Sequence, residues 1–146
     1  EAALVARAPE FSGVDGFNLK YHFPEWETCW SFWVNSDTVI KHRHKGGRYA
    51  GYHNVQASFS NIFTGHTHVL TCSPISTFDQ KTYWGVQTGT LADPNDDAFI
   101  YTEDNAKDWR SGFVMASFER GRLVMPEMIL ACGENEVEFR GEILCV

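Results

Sequence analysis

From Thr28 to Arg140 the chain breaks into short runs of β-branched and aromatic residues, each stopped after a few positions by a cluster of turn-forming residues. Thr28–Val34, Thr38–Lys41, Asn61–Thr64, Val69–Ile75, Thr82–Gln87, Ala98–Tyr101, Phe113–Phe118, Arg122–Met125, Glu127–Cys132 and Val137–Arg140 all read as strands. Asn35-Ser36-Asp37, Asp93-Pro94-Asn95, Glu103-Asp104-Asn105 and Gly133-Glu134-Asn135 punctuate them, and Glu119-Arg120-Gly121-Arg122 has the character of a hairpin loop. Helical spacing is confined to two places. Tyr52–Ser60 places Val55 and Phe59 one turn apart, and an Ala-rich start at Glu1–Ala8 ends at Pro9. The expectation is an α+β, strand-rich fold with one internal helix, set between a strand ending near His42 and one ending near His66.

Composition limits the setting. A chain of 146 residues, 43% apolar and 14% aromatic, suits a single globular domain. No apolar run nears the roughly 20 residues that a helix needs to cross a bilayer, so no membrane partner is expected. The acidic start Glu1–Arg7 does not read as a secretory leader. With a net charge of −7 the chain is a poor general partner for nucleic acid, which enters only as a substrate. Cys29, Cys72, Cys132 and Cys145 form no C-x-x-C pair. Scattered among apolar residues, they read as buried, reduced thiols of a cytoplasmic protein.

The histidines are distributed unevenly. Five of the six fall between His42 and His68, and four of those form the pairs His42-Arg43-His44 and His66-Thr67-His68. On extended backbone, residues i and i+2 point to one side, so each pair can present two imidazoles together. Neutral imidazole suits zinc, manganese, iron or nickel. Gly65, just before the second pair, is expected to let the backbone turn sharply or approach another segment. His22, beside Phe23-Pro24, and His53, at the helix start, read as structural or surface residues. Lys41, Arg43, Lys45 and Arg48 cluster around Gly46-Gly47 in an otherwise acidic chain, a pattern suited to phosphate oxygens.

Ile62-Phe63-Thr64-Gly65-His66-Thr67-His68 resembles the last metal-binding motif, Gly-His-x-His, of the calcineurin-like metallophosphoesterases. Val39-Ile40-Lys41-His42 resembles the motif before it, a strand ending in one histidine ligand. Tyr83–Leu91 is similar to the strand and Gly-Ser/Thr turn that follow in bacterial and phage members. The likeness spans about residues 28–125 and implies the C-terminal half of a four-layer αββα sandwich, preceded by an extension over residues 1–27. It further implies a hydrolase with two divalent ions (Mn, Zn, Fe or Ni), His42 and His66 on one and His68 on the other, and water as nucleophile. Arg43, His44 and Arg48 would bind the phosphate ester.

The family's earlier motifs, Asp-x-His, Gly-Asp and Gly-Asn-His-Asp/Glu, do not occur in residues 1–41. No catalytic side chain is therefore assigned. The chain is expected to be inactive alone and to be a fragment or one piece of a split enzyme. Its partner would be the missing N-terminal half, or a second copy, on an apolar face including Trp26, Trp30, Trp33 or Trp84. Two other readings compete: a non-catalytic β-rich binding or assembly module retaining relic motifs, and a stand-alone imidazole-only metal site in a small β-barrel.

Overall fold

The computed structural model describes residues 23–27, 29–93, 96–103 and 108–146. The expected helix at Glu1–Ala8, His22 and Thr28 lie outside them. Two compact units are present, Glu1–Trp30 and Ser31–Val146. In the first, the described residues form a turn in which Trp26 N–H donates to the Phe23 carbonyl at 3.0 Å and the two rings stack at 4.8 Å.

The second unit is strand-rich α+β. Its first sheet contains β1 (Phe32–Trp33), β2 (Thr38–Lys41), β3 (Asn61–Thr64), β4 (Leu70–Ser76) and β5 (Thr82–Thr88) in the order β1-β2-β3-β5-β4. β2, β3 and β5 run parallel, while β1 and β4 are antiparallel edges. Parallel neighbours need a long crossover, and helix α1 (Ala50–Ser58) supplies it between β2 and β3. Pro74, which has no N–H to give, is accommodated because β4 is an edge.

Two cores form on opposite faces of this sheet, as strand alternation requires. On one face, Val55 of α1 packs with Val39 and Ile62, flanked by Ile75 and Tyr83. On the other, Phe63 and Val86 pack with Leu123, flanked by Cys72, Trp84 and Val114. The latter residues come partly from the C-terminal strands. These are β6 (Gly112–Met115), β9 (Glu127–Gly133), β10 (Glu136–Phe139) and β11 (Glu142–Cys145), an antiparallel sheet ordered β11-β10-β9-β6, and the hairpin β7 (Phe118–Glu119) with β8 (Arg122–Leu123).

α1 sits unusually close to β5. A Cβ at Gly85 would fall on the Gly51 carbonyl oxygen, 2.6 Å from its carbon and 2.8 Å from Val55 Cγ1. The buried stripe of α1 is Ala50, Gly51, Asn54 and Val55, not the expected Val55–Phe59 pair. Phe59 caps the helix in the left-handed conformation (φ 47°), donating its N–H to the Val55 carbonyl, and its ring is exposed.

Several other expectations are corrected. Ala98–Tyr101 is not a strand: it lies in a 3-10 helix, Asp97–Thr102. Thr28–Val34 contributes only Phe32–Trp33 to the sheet, and Phe113–Phe118 divides between β6 and β7. β11 was not expected, yet Arg140-Gly141 before it repeats Arg120-Gly121 of the β7–β8 hairpin. Both turns have positive φ at both residues (52° and 79°; 50° and 79°), the primed geometry that matches strand twist. The four cysteines are free, but Cys29, Cys132 and Cys145 are exposed and only Cys72 is half-buried. Trp26, Trp30 and Trp33 are exposed, whereas Trp84 is half-buried against the second core. Among the described residues no helix is long and apolar enough to cross a membrane.

Candidate metal centre

The parallel register of β2 and β3 pairs Lys41 with Thr64, so His42 and Gly65 leave the sheet side by side. Gly65 N–H donates to the His42 carbonyl at 3.1 Å and ties the two strand tips together. The His42 and His66 rings lie 5.3 Å apart, inclined at 72°. A Cβ at Gly65 would meet only ordinary contacts, 3.8 Å from Thr88 Oγ1 and 3.9 Å from His42. The sharp turn falls instead at His68, whose φ is 58° and whose N–H returns to the Gly65 carbonyl at 3.2 Å. A side-chain-bearing residue in this region costs about 1–2 kcal/mol.

His68 is held from outside the strand tips. Its carbonyl accepts from Arg110 N–H at 3.0 Å. Its ring meets Trp109 edge-on at 4.4 Å and Phe99 at 5.9 Å, and those two pack together at 4.9 Å. Its Nδ1 is buried with no hydrogen-bond partner, alone in this among the side-chain polar atoms of the described residues. Such an atom costs about 1–3 kcal/mol until something engages it. No three His, Cys, Asp or Glu side chains among the described residues form a ready cage for one ion. His42 and His66 have their rings in contact, and His68 is held in an aromatic seat of its own.

Burial lowers the pKa of His66, helped by the charge of Arg43 and by His42 and His68. Burial and then His42 lower that of His68. Both shifts favour the neutral imidazole, the form with a lone pair to offer a cation.

The basic loop from His42 to Tyr49 is fixed by buried amides. Asn54, fully buried on α1, accepts Lys45 N–H at 2.7 Å and donates to Thr64 Oγ1 at 3.2 Å. Gln87, buried on β5, donates to the Arg48 carbonyl at 3.3 Å and to Thr71 Oγ1 at 2.9 Å, and accepts from Thr67 Oγ1 at 2.6 Å. Loop and histidine turn are therefore held by one polar network.

A cleft of about 540 Å³ is lined by His66, by Gly46, Gly47 and Arg48 of the basic loop, and by Tyr101, Asp108 and Trp109. Arg48 lines it with its Nε on Asp108 at 2.5 Å. Arg43 and His44 lie outside its lining: Arg43 acts on His66 by charge, and His44 is largely exposed, its pKa lowered by the desolvation of the part that is covered and then by the charges of Lys41 and Lys45. His53 lies on the exposed side of α1. Phe99, Tyr101, Asp108 and Trp109 were not foreseen as site residues. Nothing in their local spacing marks them, because the tertiary fold brings them to the histidines. Comparison of the chain with protein-family models, curated protein sequences and solved structures gives no significant match.

Proposed function

We propose that this chain carries the C-terminal metal-binding segment of a phosphoesterase built as an αββα sandwich, with His42 and His66 as ligands of one divalent ion and His68 of a second. The observation that carries the reading is the pair of imidazoles 5.3 Å apart on adjacent parallel strand tips, joined through the α1 crossover. The donors suit such ions: imidazole nitrogens, those of His66 and His68 favoured in the neutral form and one of them an unpartnered buried Nδ1, beside a basic loop. Divalent ions in such a site neutralise charge growing on phosphate oxygens and acidify water.

The chain's own residues supply the rest of what is present. Arg43 and Arg48 give positive charge and N–H donors to phosphate oxygens. The Trp109–Phe99 seat fixes the orientation of His68. No bridging carboxylate is part of this set. Two dications held close together by neutral donors alone would repel each other four times as strongly as two unit charges at the same separation. The imidazoles of His42, His66 and His68 would therefore hold two such ions only with a negatively charged group supplied by a partner segment, and the isolated chain is expected not to turn over phosphate esters.

The test is Mn²⁺ binding by the full 146-residue chain, followed by equilibrium dialysis and by paramagnetic broadening of histidine resonances. His42, His66 and His68 should broaden first, and His66→Ala should weaken binding about tenfold or more. His53→Ala should leave it unchanged. Equal affinity in His66→Ala and the parent chain would overturn the assignment and favour the non-catalytic assembly module.

A further inference from the structure

We infer that the cleft beside His66 is a subsite for a planar aromatic ring carried by the phosphate ester, with Tyr101 as its stacking face. The inference rests on the phosphoesterase reading and deepens it by naming a substrate class. The 3-10 helix Asp97–Thr102 turns two aromatics to different tasks. Phe99 packs inward on His68 and Trp109, whereas Tyr101, 6.3 Å from Phe99, is 69% exposed and lines the cleft. An exposed phenol backed by a packed ring is a preorganised apolar platform.

The rest of the lining has a different chemistry. Gly46 and Gly47 present backbone without side chains, and Arg48 presents a guanidinium held by Asp108. A cleft of about 540 Å³ whose lining includes both Tyr101 and these polar groups has room for a ring system. His66, in the same lining, sets where the phosphate would sit relative to that ring. A purely aliphatic or sugar phosphate would leave the Tyr101 face uncovered. Base–aromatic stacking is sequence-tolerant because every such ring has a π face. Purine and simple aryl phosphates therefore share the required chemistry.

Titration calorimetry of the Mn²⁺-supplemented full chain with AMP, phenyl phosphate, ribose 5-phosphate and inorganic phosphate decides the matter. AMP is expected to bind about tenfold or more tighter than ribose 5-phosphate. Tyr101→Ala should remove that preference while Mn²⁺ affinity stays unchanged, and Tyr101→Phe should retain it. Phenyl phosphate matching AMP would identify a general aryl subsite, and AMP alone would identify a nucleobase subsite; either supports the inference. Equal binding of AMP and ribose 5-phosphate with Mn²⁺ bound would overturn the subsite and leave the metal reading standing. Loss of Mn²⁺ binding itself would overturn both.

Discussion

The contact between Gly51 and Gly85 gives the most direct test of how α1 positions the strand tips. Gly85→Ala would place a methyl group on the Gly51 carbonyl oxygen and within 2.8 Å of Val55 Cγ1. The obstruction is helix backbone, which cannot rotate away as a side-chain end can. α1 must lift from β5, and overpacking of this kind costs about 1–3 kcal/mol. For a chain of this length that is a fall of about 3–10 °C in melting temperature. Gly51→Ala meets one close atom, the Gly85 oxygen at 2.9 Å, and its next neighbours lie at 3.5 Å. Its helix-propensity gain of about 1 kcal/mol offsets part of the cost. Gly46→Ala meets nothing within 4 Å. Thermal unfolding followed by circular dichroism should therefore rank Gly85→Ala lowest, Gly51→Ala between, and Gly46→Ala level with the parent. Gly85→Ala melting no lower than Gly46→Ala would refute the packing argument.

Asn54→Ala leaves the Lys45 N–H without its acceptor and Thr64 Oγ1 without its donor. It should cost about 1–3 kcal/mol in urea unfolding and weaken Mn²⁺ binding through the loosened loop. Unchanged stability would show that Asn54 does not anchor that loop. Cys72 has its thiol pushed up to about 11 by burial. At pH 8 its thiolate is about one part in a thousand, so iodoacetamide should alkylate the exposed Cys29, Cys132 and Cys145 well before it. Because the shift is upward, raising the pH toward 11 should bring Cys72 into reaction. Mass-spectrometric mapping that found Cys72 modified at the same rate at pH 8 would contradict its half-buried position.

Much of the fold was legible because strands announce themselves locally. Thr38–Lys41 and Asn61–Thr64 were bounded correctly, since turn residues flank short β-branched runs. Asp97–Thr102 was misread because Phe, Ile and Tyr are strand formers by propensity, whereas here the ring of Phe99 is held by His68 and Trp109. Phe59 misled for the opposite reason. Its spacing from Val55 fits a helical face, but the helix stops before it, in a left-handed cap where glycine is usual.

The sequence alone determined the strand-rich α+β class, the crossover helix between β2 and β3 and the two histidine-bearing strand ends, because each is written in residues a few positions apart. Tertiary structure decided which histidines meet. Parallel pairing of β2 with β3 puts His42 beside His66, and Phe99 and Trp109, distant in sequence, give His68 its separate seat. The close approach of Gly51 to Gly85 that lets α1 settle on the sheet belongs to the same class. Those contacts join segments tens of residues apart, and only closing the chain around shared cores specifies them.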